Sequence, residues 1–216
     1  MIKLALIKKN LPFILVGVGV LVLVIAFFLM KKSGGGITED DTVKEILEEQ
    51  RPIVSLIPSD DGHWLKLKIE QIKVAGATTL DYELLYTLPD GRVQGVPGTV
   101  KIEGDVIRDL LLGSESSGKF RYDEGVEIGT ITVRFRNGKG KLIGRLSSKF
   151  RMQTGEKVLM SDDESFKYEL ASVPKGVYFV TMMPFKEPNP SSTVIFQNGW
   201  AIFASDGKPH SGKVNQ

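Results

Sequence analysis

Residues 11–30 form an uninterrupted apolar run without a charged or polar side chain, LPFILVGVGVLVLVIAFFLM. At about 1.5 Å per residue, a helix of this length spans roughly 30 Å, the thickness of the hydrocarbon core of a bilayer. A lone strand in lipid would leave its backbone N–H and C=O groups without partners, so a helix is favoured despite the many β-branched residues. The sequence therefore predicts a transmembrane helix over 11–30, with the lipid bilayer as its partner.

The flanks of this run favour a retained anchor over a cleaved signal peptide. The apolar core of a secretory signal has about 7–15 residues and ends before a small-x-small cleavage site, whereas this run is longer and ends in Phe-Phe-Leu-Met-Lys-Lys. Three lysines precede the run within residues 1–10 and two follow it, Lys31 and Lys32. By the positive-inside rule, this small excess favours a short basic cytoplasmic flank over residues 1–10. We therefore expect a single-pass cell-membrane protein with its N-terminus in the cytoplasm and its C-terminal domain outside; a cleaved signal and a buried core helix are the alternatives.

We interpret residues 31–51 as a linker between the membrane segment and the rest of the chain. It starts with Ser33-Gly34-Gly35-Gly36, a flexible composition, and becomes acidic between Thr38 and Gln50, where six acidic residues oppose one lysine. Apolar residues at positions 43, 46 and 47 also fit a short helix.

The sequence changes to a period of two residues after Pro52. Five segments alternate apolar and polar side chains: 65–70, 80–88, 131–136, 145–152 and 166–170. Further apolar segments at 177–182, 193–196 and 200–204 are also expected to be strands, within a set of about nine. Alternation of this kind is typical of antiparallel strands with one buried face, and turn sequences such as Asn137-Gly138 separate them. The sequence therefore predicts one β-sandwich over 52–204, followed by a flexible tail over 205–216.

One segment departs from this alternation. Residues 105–112, DVIRDLLL, begin with an aspartate that can cap a helix and are followed by Gly113, so we expect a short helix across one end of the sandwich. The architecture as a whole resembles immunoglobulin-like β-sandwich ectodomains carried on single-pass anchors, although the Cys–Trp–Cys pattern of true immunoglobulin domains is absent. The predicted fold class is all-β, an immunoglobulin-like antiparallel β-sandwich ectodomain preceded by a single N-terminal transmembrane helix.

Composition limits the chemistry of this chain. It has no cysteine, which excludes disulfides, thiol nucleophiles and thiolate metal sites, and its two histidines, His63 and His210, leave few ligands for zinc. Neither a GxSxG nucleophile elbow nor a glycine-rich nucleotide loop is present. The acidic groups Asp123-Glu124 and Asp162-Asp163-Glu164 are interpreted as solvated hairpin loops, with calcium binding as the alternative. We predict no catalytic residue, no metal, no cofactor and no enzymatic activity.

The most informative polar feature lies between Arg134 and Arg151, a segment with seven basic residues and no acidic one. Its alternation places five basic side chains on the face opposite Phe135 and Phe150: Arg134, Arg136, Arg145, Lys149 and Arg151. Like charges opposed across a strand pair destabilise a sheet, so these residues require compensation. The five residues are called the basic strip below.

Two sources of compensation fit the basic strip. The first is a set of acids on a neighbouring strand, such as Glu70, Asp81 or Glu83. The second is an external anionic partner, which makes the strip a candidate face for an envelope polymer, lipid headgroups or an acidic protein. Nucleic acid is not predicted as a partner, because the net charge of the whole chain is only +2 and single-strand binding requires exposed aromatic side chains.

Two tryptophans are candidate aromatic contacts with a partner. Trp64 begins a strand after a charged turn, and Trp200 follows Asn198-Gly199; a tryptophan at a loop end either packs into a core or contacts carbohydrate or protein. Together these observations predict a membrane-anchored cell-surface protein, a non-enzymatic binding or adhesion-type module for an envelope polymer or protein. A structural subunit of a larger envelope assembly and an envelope hydrolase working through a Ser–Lys pair or paired acids are the alternatives.

Overall fold

The computed structural model describes residue 43, residues 45–189 and residues 194–215. All described residues belong to one compact unit of the chain, Val43–Gln216. The predicted cytoplasmic flank, the transmembrane segment over 11–30 and the glycine-rich start of the linker lie outside the described residues, so these remain predictions. None of the helical structure in the described part of the chain is long and apolar enough to cross a membrane.

β-Strands are the dominant regular structure of the described residues, and a single short 3-10 helix accompanies them. A 3-10 helix at Glu48–Gln50 precedes fifteen strands: β1 Ile53–Pro58, β2 Trp64–Glu70, β3 Ala77–Thr87, β4 Val93–Lys101, β5 Val106–Leu111, β6 Gly113–Ser116, β7 Lys119–Tyr122, β8 Ile128–Asn137, β9 Leu142–Thr154, β10 Val158–Met160, β11 Lys167–Leu170, β12 Tyr178–Met182, β13 Val194–Gln197, β14 Trp200–Ala204 and β15 Gly212–Asn215. Every strand pairing is antiparallel. The prediction of an all-β, sandwich-like fold built from antiparallel sheets is confirmed.

Four sheets organise these strands. The largest has seven strands in the order β13-β14-β12-β9-β8-β3-β4, and two sheets have three strands, β1-β2-β5 and β10-β11-β15. The remaining pair, β6-β7, is a two-stranded ribbon. The strands predicted from alternation fall mainly in the large sheet and in β2 and β11.

The main core lies between the β1-β2-β5 sheet and one face of the seven-stranded sheet. Leu65, Leu67 and Ile69 of β2 are completely buried there, in the same cluster as Val133 and Phe135 of β8. Burying a side chain of this size contributes roughly 1.5–3 kcal/mol relative to leaving it exposed. In β2 and β8 the apolar residues of the alternating pattern are therefore the ones that face the core.

A second core lies on the opposite face of the seven-stranded sheet. Phe179 and Ile202 belong to the apolar cluster formed with the β10-β11-β15 sheet, whereas the adjacent Val180 and Phe203 belong to the main core. Because β12 and β14 are covered on both faces, their sequences are apolar on both faces rather than alternating, with Thr181 as the buried polar exception. One part of the large sheet is thus the middle of three layers.

The helix predicted over 105–112 is wrong, because residues Val106–Leu111 form β5. This strand pairs with β2, placing Val106, Arg108 and Leu110 opposite Ile69, Leu67 and Leu65. Arg108 is exposed at the edge of the sheet while Val106 and Leu110 are buried. Arg108 lies between Val106 and Leu110 on the same face of the strand. Because Arg108 is charged, the apolar residues of this face are four positions apart, which is also the spacing of residues on one face of a helix.

Both ends of the described chain are more ordered in secondary structure and packing than the sequence predicts. In the predicted flexible tail over 205–216, Gly212–Asn215 forms β15 and pairs with β11. In the predicted linker over 31–51, Ile46 is 4% exposed and belongs to the main core. Neither segment alternates over enough residues to be recognised as part of a sheet or a core.

Candidate functional site

The basic strip lies on the face of the large sheet opposite the main core, and its β8 half pairs with acids on β3. Arg134 Nη1 lies 3.1 Å from Glu83 Oε2, and Arg136 Nε lies 2.6 Å from Asp81 Oδ2. Burial alone would raise the pKa of the Asp81 carboxyl, but hydrogen bonds from Arg136 and Thr99 outweigh it and lower that pKa. The acids on the neighbouring strand are thus the compensation that the sequence requires at this end.

The β9 half of the strip is compensated by the loop between β10 and β11. Lys149 Nζ lies 2.9 Å from Asp162 Oδ2, and Arg151 Nη1 lies 3.7 Å from Glu164 Oε1. Arg145 stands directly opposite Arg134 in the β8–β9 register, and the third suggested acid, Glu70, belongs to β2 in another sheet. The ion pairs of Arg134 and Arg136 with β3 match the first source of compensation, whereas the loop acids that pair with Lys149 and Arg151 were not predicted. Binding of an anionic partner by the strip remains a prediction.

The two tryptophans occupy different environments. Trp200 stacks on Phe166 with ring centroids 5.8 Å apart and an interplanar angle of 19°, and it packs against the second core. Trp64 instead stands at the start of β2, beside the β6-β7 ribbon. Trp200 has the contacts of a packing residue, and Trp64 has contacts at the surface.

Trp64 is one end of a row of four rings. Its ring meets Phe120 edge-on at 5.7 Å, Phe120 lies parallel to Tyr122 at 6.2 Å, and Tyr122 stacks on His63 at 4.0 Å with an interplanar angle of 8°. We call these four residues the aromatic row. Sequence reasoning missed Phe120 and Tyr122, although their spacing of two residues after Ser117-Gly118 is a hairpin signal.

The β6-β7 ribbon positions two of these rings on one face. Its two-residue turn, Ser117-Gly118, has positive φ at both positions, 53° and 76°, as a type I′ hairpin requires. In the register of the ribbon, Phe120 stands opposite Glu115, and Tyr122 opposite Gly113. Since directly opposed residues share a face and successive residues alternate, Lys119 and Arg121 belong to the other face.

The rings of the ribbon are unusually open to solvent. Phe120 is 48% exposed and Tyr122 is 37% exposed, and all four residues of β7 are exposed. An isolated two-stranded ribbon is marginally stable by itself, so its contacts with Trp64 and His63 hold it in place. The ribbon therefore displays aromatic surface that the described part of the chain leaves largely uncovered.

A hydrogen-bonded turn fixes the other end of the row. Ser59 Oγ donates to Asp61 Oδ1 at 2.6 Å, and the same carboxylate oxygen accepts the backbone N–H of His63 at 3.0 Å. The hydrogen bond from Ser59, followed by that from His63, lowers the pKa of the Asp61 carboxyl. The imidazole lies between two carboxylates, with Nδ1 3.3 Å from Asp61 Oδ2 and Nε2 3.6 Å from Glu124 Oε1.

The same turn occurs a second time between β10 and β11. Residues 59–64 read SDDGHW and residues 161–166 read SDDESF. In each, the serine hydroxyl donates to the second aspartate and accepts the N–H of the aromatic residue, and the fourth residue has positive φ. The first copy carries His63 and Trp64 of the aromatic row, and the second supplies the acids that pair with Lys149 and Arg151 of the basic strip.

An open cleft of about 380 Å³ adjoins the His63 end of the row. Five carboxylates line it against one guanidinium, that of Arg151: Asp61, Asp123, Glu124, Glu127 and Glu156. Tyr86 donates its hydroxyl hydrogen bond to Asp123 Oδ2 at 2.8 Å; burial first, and this contact second, raises the pKa of Tyr86. Among the described residues, no group of three or more His, Asp or Glu side chains is placed to hold a metal ion.

Comparison with known proteins adds no relative to this picture. No protein-family model matches the chain, and no curated protein matches it.

Proposed function

We propose that this chain is a non-enzymatic binding module on the outer surface of a cell. In this proposal residues 11–30 form its single transmembrane helix, its N-terminus is cytoplasmic, and the body is an immunoglobulin-like β-sandwich. The single observation that carries the binding role is the aromatic row, with Phe120 and Tyr122 open to solvent on a ribbon.

Energetics supports contact with a partner at this place. Full burial of a large side chain contributes roughly 1.5–3 kcal/mol, and the partly exposed rings of Phe120 and Tyr122 forgo a part of it. Aromatic side chains are also enriched among the residues that dominate binding energy in protein interfaces. Stacking between Tyr122 and His63 and the contact of Phe120 with Trp64 also restrict the rings before binding. A preorganised ring loses less conformational entropy when a partner covers it.

The hydrogen bonds of the first turn give Ser59 a structural role beside the aromatic row. Ser59 is the serine nearest His63 in sequence, but its hydroxyl donates to Asp61 and accepts the N–H of Trp64. A serine nucleophile needs its hydroxyl paired with a base, and this hydroxyl is instead committed to the turn.

Site-specific photo-crosslinking in the native membrane tests the proposal. A benzophenone amino acid replacing Phe120 in the full chain is expected to form adducts with a partner, because a ring at this position would be covered. The matched control is the same amino acid at Met183, which is 50% exposed. Met183 follows the C-terminal end of β12, whereas Tyr178, which lines the cleft, is at the N-terminal end of that strand. Adducts at position 183 as abundant as those at position 120 would contradict a binding role for the aromatic row.

Native gel electrophoresis of the same membranes, solubilised in detergent without crosslinking, separates the proposal from the alternative of a structural subunit. A binding module is expected to release its partner on detergent solubilisation and to leave a free population. If the whole population instead stayed in one complex of fixed stoichiometry, the structural-subunit alternative would replace the proposed function.

A further inference from the structure

We propose that the aromatic row and the adjoining cleft bind a basic, extended segment of a partner protein. A lysine or arginine side chain enters the cleft, and its apolar neighbours lie on the exposed rings. This inference rests on the proposed function and adds the chemistry of the partner to it.

Carboxylates predominate around the ribbon and the His63 end of the aromatic row, while Lys66, near Trp64, pairs with Asp109. Glu115 shares a ribbon face with Phe120, and Asp61 and Glu124 flank the imidazole of His63. The basic residues of the ribbon, Lys119 and Arg121, alternate to the opposite face. A ligand lying on the rings therefore meets carboxylates, which complement a cation and repel an anionic polymer.

The cleft is suited to a single long cationic side chain. Its volume of about 380 Å³ lies at the small end of the range for ligand pockets, and its carboxylates outnumber its guanidinium five to one. Arg151, the one guanidinium, already contacts the Ser161 carbonyl at 3.5 Å and Glu164 at 3.7 Å. An incoming ammonium or guanidinium group would lower the repulsion among the remaining carboxylates.

The rings suit the rest of such a segment. Phe120 and Tyr122 are two residues apart on one strand, about the spacing at which an extended peptide repeats its side chains on one face. Aromatic rings attract the ammonium or guanidinium of lysine and arginine, and the aliphatic stems of these residues cover apolar surface. A neutral glycan would use the rings but has no charge to match the carboxylates, so the acidic surroundings favour the basic peptide.

Binding of defined probes to the full chain in phosphatidylcholine nanodiscs tests this inference. The probes are a fluorescent Lys-Val-Lys-Val-Lys-Val-Lys peptide, its Glu-Val counterpart and a neutral hexasaccharide of N-acetylglucosamine. We expect fluorescence anisotropy to detect binding of the lysine peptide alone. Its affinity should decrease when the salt concentration is raised from about 50 mM to about 300 mM. Phe120→Ala should weaken binding at least about fivefold, Glu124→Gln should weaken it and reduce its salt dependence, and Lys119→Ala should leave it unchanged.

The inference would be overturned by binding unchanged by both Phe120→Ala and Glu124→Gln, by equal binding of the glutamate peptide, or by equal binding of the hexasaccharide. The Glu124 side chain is 85% exposed, so its substitution tests the site without a risk of unfolding, and a thermal melt checks Phe120→Ala. Crosslinked adducts at position 120 without binding of the lysine peptide would reject this inference and leave the proposed function standing. Absence of both would reject the two together.

Discussion

At the residue scale, the two serine–aspartate turns show how short polar motifs shape this protein. Asp163 accepts hydrogen bonds from Ser161 Oγ at 2.6 Å and from both the backbone N–H and the hydroxyl of Ser165. These bonds, that from Ser161 first, lower the pKa of the Asp163 carboxyl to about 2. The ionised form of this side chain is therefore the one that the folded loop prefers.

We expect acid to weaken the fold through this carboxylate. A pKa that is lower in the folded than in the unfolded state adds stability above the unfolded value of 3.8, and this contribution is lost as pH falls toward about 2. Asp163→Asn should therefore lower the unfolding midpoint in urea at about pH 6 and have a smaller effect at about pH 3. An equal loss of stability at both pH values would contradict this role of the charge.

The ion pairs of the basic strip permit a second prediction at this scale. Asp81→Ala removes the partner of Arg136, whose side chain is 27% exposed, and should cost about 1 kcal/mol in the free energy of unfolding. The matched control is Asp90→Ala, which breaks the more exposed pair of Asp90 with Arg92 and should destabilise the fold less, because exposed ion pairs contribute little. Urea unfolding of both variants measures the difference, and equal losses would show that burial of the Arg136 pair is unimportant.

At the element scale, a close approach between strands explains a glycine in β8. A Cβ at position 129 would overlap the Leu85 carbonyl oxygen and the ring of Phe150, which stand beside it on β3 and β9. The ring of Phe150 occupies the space that a side chain at 129 would need. Three neighbouring strands thus depend on the absence of one side chain.

Gly129→Ala should accordingly destabilise the large sheet by about 2 kcal/mol, because the neighbouring strands must move apart. Gly138→Ala is the matched control, since its nearest neighbour would be a Thr78 methyl at 3.9 Å, and we expect a change of less than about 0.5 kcal/mol. Chemical denaturation measures both. A harmless Gly129→Ala would mean that β3 and β9 are less closely packed than described.

At the scale of the whole molecule, the seven-stranded sheet joins two cores on its opposite faces. Phe179 is 2% exposed in the second core, so Phe179→Ala should cost about 3 kcal/mol. Hydrogen exchange is expected to rise first in β11 and β15 and less in β1 and β2, which belong to the other core. Phe120→Ala, which removes an exposed ring, is the matched control and should change stability by less than about 1 kcal/mol. Uniform loss of protection in both cores would mean that they unfold as one unit.

Prediction from the sequence succeeded where one face of a strand meets a core. In β2, β3 and β8 the buried side chains recur at every second position because the pleat requires it, and the acids on β3 were correctly proposed as partners of the basic strip. It failed at β5, where Arg108 breaks the alternation, and it missed the β6-β7 ribbon, whose rings are exposed rather than buried.

The amino-acid sequence by itself determined the antiparallel β-structure and the need to neutralise the basic strip, because both follow from the spacing of residues along the chain. The tertiary structure alone decided which strands are neighbours, that a second small sheet covers β12 and β14, and that His63, Trp64, Phe120 and Tyr122 form one row. Residues 63 and 122 are far apart in the chain, and only the folding that brings the β1–β2 turn beside β7 makes their rings meet.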